Sequence, residues 1–301
     1  MKGKLIILVG ISNSGKSTWA SRLVQKNPKA YIRVNRDDIR NLLYGYNDET
    51  ISSYYERDDI RTMEKQITRF EDTLIYDSLE LGKIVIVDAT HLTRKYIERF
   101  KYWNVATYIE TFPIDLQEAF ERNSKRVRKV PNKVMEKQFN QFSTLTKSLE
   151  KDPIDLNPVV LGKDFFNQHV YVFDIDGTLA HHRGRRSPFE WDKVGQDDVD
   201  ISLSLLVRNL SKNVKIIIAT GRDGACIDET EKWLKFMDIH YDEIYIRPKG
   251  DVRPDWLVKQ EMAQKILEKN YILGWFDDRL QVTRHLRMLD INVYNVAHGN
   301  F

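Results

Sequence analysis

Leu5-Ile6-Ile7-Leu8-Val9-Gly10-Ile11-Ser12-Asn13-Ser14-Gly15-Lys16-Ser17-Thr18 decides how the first half of the chain folds. An apolar, β-branched run reads as a buried strand. It ends in Gly-x-x-x-x-Gly-Lys-Ser, the strand–loop–helix spelling of a phosphate-binding loop. Gly10 and Gly15 let the backbone curl until its N–H groups face inward. The loop Ser12, Asn13, Ser14 and Gly15, with Thr18 in the first turn of the next helix, then forms an anion cradle at a positive helix end. Lys16 reaches the β- and γ-phosphates, and the Ser17 hydroxyl is placed to ligate Mg²⁺. The bare pattern also arises by chance. The strand before it and the amphipathic Trp19-Ala20-Ser21-Arg22-Leu23-Val24 after it give it weight. A nucleoside triphosphate is the implied ligand.

Outward from this loop, strand and helix alternate. A short strand is expected at Tyr31–Val34, followed by Asn35-Arg36-Asp37-Asp38-Ile39-Arg40. Ligands of parallel sheets gather at the carboxyl ends of strands. A carboxylate there can accept the proton of an attacking hydroxyl, and a nearby Arg can hold a phosphate through paired bonds. A charged turn is the bland alternative. The spacing of Ile60, Met63, Ile67, Phe70 and Leu74 predicts a helix over Tyr54–Leu81. Gly82 ends it, and Lys83–Val87 reads as a buried strand closed by Asp88. Asp88 is either a magnesium ligand or faces the acceptor together with Thr90. A further strand near Thr107–Phe112 leads into a basic helical stretch, Leu116–Arg128, stopped by Pro131. Arg122 and Arg126 are one turn apart on it and share a face. Such a pair can clamp a triphosphate, although a solvated face is the usual fate of a charge run.

A chain of 301 residues is too long for one typical domain. Between Lys151 and Phe166 the period fails, with Pro153, Pro158 and Gly162 as turn signals. The expected division is therefore a domain at 1–152, a linker at 153–166 and a domain at 167–301. With 42% hydrophobic and 30% charged residues, both halves can fold as ordinary globular domains. The net charge of +3 argues neither for nor against nucleic acid. The apolar run near the N-terminus is too short for a signal peptide or membrane span. Cys226 is the only cysteine, which excludes an internal disulfide and fits a reducing cytosol. A cytoplasmic protein without membrane contact is expected, and a homo-oligomer is left open.

The second half opens on Val170-Tyr171-Val172-Phe173-Asp174-Ile175-Asp176-Gly177-Thr178-Leu179. A buried strand runs into two carboxylates that alternation on an ideal strand puts on one face. There they can share a Mg²⁺. Asp174 can attack phosphorus, and Asp176 can protonate the leaving oxygen and later activate water. Further strands are expected at Lys215–Ala219, Glu243–Ile246, Ile272–Phe276 and Asn292–Val296. Thr220, Gly221 and Arg222 end one of them with a hydroxyl and backbone donors for a phosphoryl oxygen. Lys259, on a predicted helix, balances the nucleophile's charge. Asp277 and Asp278 end another strand as remaining metal ligands. Each has a bland reading as a capped turn, but the four pieces fall in the right order. The insertion Ala180–Asp200 is too short for a cored cap and reads as a loop or small hairpin.

Together these motifs resemble the bacteriophage polynucleotide kinase–phosphatase family, over nearly the whole chain. The resemblance implies an α/β protein of two domains: an N-terminal P-loop kinase and a C-terminal haloacid-dehalogenase-like Rossmannoid phosphatase with a minimal cap. The first moves the γ-phosphate of ATP to a 5′-hydroxyl of RNA or DNA; the second removes a 3′-phosphate. Mg²⁺ serves both sites. By motif, Lys16 and Ser17 bind ATP and its metal, Asp37 is the general base, and Arg40 contacts the acceptor's phosphate. Arg126 contacts the donor phosphates with help from Arg122. Asp174 is the nucleophile and Asp176 the acid–base, with Thr220, Arg222, Lys259, Asp277 and Asp278 completing the site. The family's Arg before a Gly-Pro-aromatic turn corresponds to Arg186, or else Arg185, in Arg183-Gly184-Arg185-Arg186-Ser187-Pro188-Phe189. The closing Gly299-Asn300-Phe301 also resembles the family's chain end. The alternative is a small-molecule or nucleoside kinase fused to a nucleotidase, which does not require the Arg40 contact. A binding module with relict motifs fits poorly with intact Lys16, Asp37, Asp174 and Asp176.

Overall fold

Leu5, Ile7, Leu8 and Val9 are fully buried, as a strand covered on both faces demands. They form β1 (Lys4–Val9), followed by α1 (Lys16–Lys26), β2 (Tyr31–Val34), α2 (Arg36–Tyr44), α3 (Ile51–Tyr55) and α4 (Ile60–Glu80). Then come β3 (Ile84–Val87), α5 (Arg94–Glu98), β4 (Thr107–Thr111), α6 (Leu116–Ser124) and α7 (Asn132–Lys151). In this computed structural model, which describes residues 2–187 and 190–299, the four strands pair in parallel in the order β2-β3-β1-β4. The carboxyl ends of β1 and β3 are therefore adjacent. Gly10 N donates to Thr90 O across them at 3.2 Å.

Two helices differ from the periodic reading. The stretch expected as one helix over Tyr54–Leu81 is two, with residues 56–59 between α3 and α4. The buried stripe of α4 is Met63, Ile67, Glu71 and Ile75, while Phe70 is exposed. A charged Glu71 takes an inward position because Arg36 and Arg99 meet it there, at 2.6 and 3.1 Å. The basic helix stops at Ser124, so Arg126 lies beyond α6 in the turn that leads to α7.

The second unit contains β5 (Gln168–Phe173), β6 (Ala180–His181), β7 (Asp198–Val199), α8 (Ile201–Leu210), β8 (Lys215–Asp223) and α9 (Ile227–Phe236). It continues with β9 (Glu243–Arg247), α10 (Asp255–Leu267), β10 (Asn270–Arg279), α11 (Leu280–Met288) and β11 (Val293–Gly299). Five strands pair in parallel in the order β11-β10-β5-β8-β9. Alternate residues of β5 and β8 face opposite cores. Val170, Val172, Ile217 and Ala219 pack with α10 and α11; Phe173, Ile216 and Ile218 pack with α8 and α9. The insertion is a small antiparallel hairpin, β6–β7, with a 3₁₀ turn at Trp191–Gln196. Pro188 and Phe189 of its arginine-rich turn lie outside the described residues, as do the closing Asn300 and Phe301. No described helix is long and apolar enough to cross a membrane.

The chain divides into compact units 1–158 and 159–301. Residues 153–164 form neither helix nor strand. Val159 and Leu161, within the expected linker, pack against the core of the second unit. Lys163 Nζ is bonded to Asp290 O. A fragment spanning 159–301 is therefore expected to melt cooperatively and above one spanning 165–301. Two partly buried aliphatic side chains are worth about 2 kcal/mol. Equal melting temperatures would show that these contacts add nothing.

Two candidate active sites

In the first unit, Gly15 takes φ 95°, a left-handed turn that L side chains rarely adopt, and hands the chain to α1 at Lys16. Lys16 Nζ is buried and donates to Gly10 O (2.9 Å), Ile11 O (2.6 Å) and Ser14 Oγ (3.2 Å). Burial lowers its pKa to about 8; Asp88 opposes this and Arg126 adds to it. Ser17 and Thr18 are exposed in the first turn of α1. Asn13, with φ 67°, is the meeting point of the expected clamp. Arg126 Nη1 donates to Asn13 Oδ1 at 2.8 Å, and Arg122 Nη1 to Asn13 O at 3.2 Å. Both arginines thus reach the phosphate loop, but from the helix end and the following turn rather than from one helical face. Gln138 of α7, which no motif marks, accepts from Ser12 N at 2.9 Å.

The pKa of Lys16 carries a prediction. Below about pH 8 the free site already holds the ammonium; above it, an incoming phosphate must draw in a proton. Triphosphate affinity should be flat below about 8 and fall as pH rises beyond it. Dissociation constants measured across this range check it, and a flat profile above 8 would contradict it.

Asp37 lies in the first turn of α2, where the Asn35 side chain caps the helix by accepting from Asp37 N and Asp38 N. Its Oδ1 accepts from Arg40 Nη1 at 2.6 Å and its Oδ2 from Arg128 Nη1 at 2.7 Å. Arg40 was expected to present its fork to an acceptor phosphate. Instead it is buried, with Nε and Nη2 on Glu64 Oε1 at 3.0 and 2.8 Å. Its guanidinium lies 5.3 Å from the Tyr54 ring centre. The cause is the three-residue spacing on α2, which sets Arg40 beside Asp37 and against α4. Glu64 also accepts from Tyr54 Oη (2.6 Å) and Arg36 Nη2 (2.6 Å). Burial pushes Glu64 up, but these donors outweigh it and hold its pKa at about 2. Asp88, expected as a metal ligand or an acceptor contact, is engaged by neighbouring side chains in this structure. Its Oδ2 accepts from Arg33 Nε at 2.7 Å, and its O from Asn35 Nδ2 at 2.8 Å, which ties β3 to the β2–α2 corner. Thr90 gives the phosphate loop its carbonyl and is half-buried.

In the second unit, Asp174, Asp277 and Asp278 bring carboxylate oxygens within 4.8 Å of one another. Asp174 follows β5 and the other two end β10, its neighbour in the sheet. Lys259 Nζ, fully buried on α10, lies 2.9 Å from Asp174 Oδ2 and 2.7 Å from Asp277 Oδ2. Burial pushes Asp174 well above the usual carboxylate range despite Lys259. Burial and the neighbouring Asp277 push Asp278 up to about 6. Asp174 Oδ1 and Asp278 Oδ1 are buried and accept no hydrogen bond among the described residues. Three carboxylates facing one ammonium, with two orphaned hard oxygens, fit a divalent cation such as Mg²⁺. Gly177, at φ 82°, makes room for this: a Cβ there would stand 2.1 Å from Asp278 Oδ2. Buried Thr178 Oγ1 is likewise without a partner among the described residues, and the motif reading gave it no role.

Asp176 does not join this cluster. The strand ends at Phe173 and the chain turns at Gly177, so ideal alternation no longer applies. Its carboxylate accepts from Arg222 Nε and Nη2, both at 2.9 Å, and from Arg186 Nη2 at 2.8 Å. Burial raises its pKa, but the two guanidiniums outweigh that and hold it below the usual range. Both arginines also grip buried Asp197, Arg186 through Nε (2.8 Å) and Nη2 (2.7 Å), Arg222 through Nη2 (2.8 Å). Arg222 and Arg186, expected to touch substrate, are engaged in this structure on the carboxylates of Asp176 and Asp197. Arg185 pairs with Asp198 at the surface, so Arg186 is the residue brought to the site. Thr220 is fully buried and its Oγ1 accepts from Arg222 N at 3.2 Å. Gly221 is required by Asp255, whose Oδ1 would lie 2.4 Å from a Cβ.

These folds and sites define a P-loop kinase-type domain joined to a haloacid-dehalogenase-like phosphatase domain. Residues 5–149 match the family model of the AAA domain, and residues 168–301 that of the polynucleotide kinase PNKP phosphatase domain. The second half thus matches the phosphatase domain of polynucleotide kinases, and the first half a P-loop domain model. A protein of Autographa californica nuclear polyhedrosis virus, described as "Putative bifunctional polynucleotide kinase/RNA ligase", is 30% identical over 309 residues. That match takes in 98% of this chain but only 42% of the viral protein. Two solved chains from the Pnkp1/Rnl/Hen1 RNA repair complex are 26% and 25% identical, with TM-scores of 0.47 and 0.48. Each match covers 100% of this chain, and 97% and 98% of the solved chains.

Proposed function

We infer that this protein mends nucleic-acid ends, phosphorylating 5′-hydroxyls of RNA or DNA with ATP and removing 3′-phosphates. The observation that carries this is the pairing of two separate sites. One sets a phosphate-loop lysine and two arginines near a carboxylate on α2. The other is an aspartate cluster in a domain of the polynucleotide kinase phosphatase family.

In the first site, Lys16, Arg122 and Arg126 hold the triphosphate and stabilise charge that develops on it. Asp37 takes the proton of the 5′-hydroxyl as its oxygen bonds to the γ-phosphorus and ADP leaves. Ser17 would hold a Mg²⁺, which would supply positive charge beside the phosphates. In the second site, an Asp174 oxygen bonds to phosphorus and the bond to the 3′-oxygen breaks. The departing oxygen takes a proton from Asp176. Water then attacks the aspartyl-phosphate and Asp176 recovers a proton from it, releasing phosphate. Lys259 fixes the nucleophile throughout, and Asp174, Asp277 and Asp278 would hold a Mg²⁺ that would offset the phosphate's charge. The arginine pair on Asp176 favours its carboxylate form, the form that activates water. A cytoplasmic location keeps the buried Cys226 reduced.

Incubation with labelled ATP and an oligonucleotide carrying a 5′-hydroxyl and a 3′-phosphate tests both activities at once. Label at the 5′ end and loss of the 3′-phosphate are expected; neither change would end this reading. A second reading, a small-molecule kinase joined to a nucleotidase, draws on the burial of Arg40 away from an acceptor. The hairpin β6–β7 is too small to roof the pocket, and it exposes Arg183 and Arg185 for backbone phosphates. A 3′-phosphorylated oligonucleotide is therefore expected to exceed a small monoester in kcat/KM, with an advantage that salt erodes. Equal efficiency at low salt would favour the nucleotidase.

A further inference from the structure

Asn123 lies in the last turn of α6, next to Arg122 and just before the turn that carries Arg126. It is polar yet only 5% exposed, so its amide must find partners inside the protein. Nδ2 donates to Val130 O at 2.8 Å, and Oδ1 accepts from Val130 N at 3.0 Å. A side-chain amide carries a donor group and an acceptor group, the same pair that a backbone residue offers. Asn123 thereby closes residues 124–129 into a loop, as a paired backbone residue would. Within that loop Arg126 N donates to Asn123 O at 3.2 Å.

The sense of these bonds is fixed. Val130 N can only donate and Val130 O can only accept, so the Asn123 amide has one orientation. Its Oδ1 accepts a second bond, from Asn13 Nδ2 at 3.2 Å. That bond in turn orients the Asn13 amide, whose Oδ1 accepts from Arg126 Nη1 at 2.8 Å. Asn13, at φ 67°, belongs to the phosphate loop. A backbone residue, two amides and a guanidinium thus form one chain of defined direction. Val130 closes the loop at one end of this chain, and Arg126 of the same loop stands at the other.

We propose that Asn123 is a positioning residue for the phosphate donor, holding Arg126 over the phosphate loop before the triphosphate arrives. This rests on the kinase reading of the first site. Of residues 124–129 all but Arg128 are exposed, so apart from the bond of Arg128 to Asp37 the loop has little packing to order it. Without the clasp, an arginine on such a loop samples many positions. A triphosphate would then have to order both the loop and the guanidinium as it binds. With the clasp, folding has already ordered them. Arg122 does not depend on this, because its backbone is helical and it pairs with Glu118. Asn123 therefore acts through Arg126.

A double-mutant cycle on ATP binding and on phosphorylation of a 5′-hydroxyl oligonucleotide tests this. Asn123→Ala should weaken ATP binding about tenfold in a direct titration. It should raise KM for ATP more than it lowers kcat. Arg126→Ala should lose at least as much, and the double variant should be no worse than Arg126→Ala by itself. Losses that multiply in the double variant overturn the proposal, because Asn123 then acts by another route. A lower melting temperature with ATP affinity unchanged overturns it too, since the asparagine would be merely structural. Asn123→Asp keeps the acceptor for Asn13 and loses the donor to Val130 O. It is read in the same cycle, by the same two criteria, if the alanine variant does not melt cooperatively. A parent protein that binds ATP but phosphorylates no 5′-hydroxyl would instead defeat the kinase reading, and the ATP titrations would still decide the role of Asn123.

Discussion

Asp174→Asn is expected to abolish the proposed removal of 3′-phosphates and to leave 5′-phosphorylation intact, the largest effect expected of any single change. The amide cannot attack phosphorus, so the loss should be on the order of 10⁴-fold or more. The substitution keeps the shape of the side chain, and Lys259 retains Asp277 as a partner at 2.7 Å. Stability should move the other way. Burial raises the pKa of Asp174 above its unfolded value, so its charged form costs stability above the unfolded pKa. In a chelating buffer near neutral pH, the variant should melt at or above the parent. Magnesium should then raise the parent's melting temperature more than the variant's, because one of three clustered carboxylates is gone. Residual phosphatase activity within tenfold of the parent would remove Asp174 as the nucleophile.

Lys16→Ala is expected to do the reverse. Loss of a charge-stabilising group of this kind costs about 3 kcal/mol or more, a rate loss above about a hundredfold. The bonds of Lys16 run to Gly10, Ile11 and Ser14, all within the phosphate loop. The aspartate cluster belongs to the other compact unit. Dephosphorylation by Lys16→Ala should therefore match the parent, and the variant should show weakened ATP binding in a direct titration. If either substitution removed both activities from a protein that still melts cooperatively, the two-site arrangement would be wrong.

Much of this was legible in the amino-acid order because it is local. An apolar run of four to six residues declares a buried strand, and the residues just past it declare what stands at the strand's carboxyl end. Lys16, Asp37, Asp174, Asp277 and Asp278 were all marked this way, and Lys259 by its place on a predicted helix. Each stands in the structure at the end of its strand or on its helix. The parallel order of both sheets follows from the same alternation. Helix limits were less legible. The break at residues 56–59 and the end of α6 at Ser124 carry no Gly or Pro to announce them. Glu71 on a buried stripe runs against the apolar period.

What each charged side chain does was decided by the tertiary structure. Arg40, Arg186 and Arg222 carry no local mark that separates an arginine free to meet substrate from one already committed to a carboxylate. The answer depends on Glu64, 24 residues from Arg40, and on Asp197, 25 residues from Arg222. Arg128 and Asp37 are 91 residues apart, and nothing in either neighbourhood names the other. Periodicity is a property of the backbone and repeats within a few residues. An ion pair is a property of two points in space, and only the packing of whole elements brings them together.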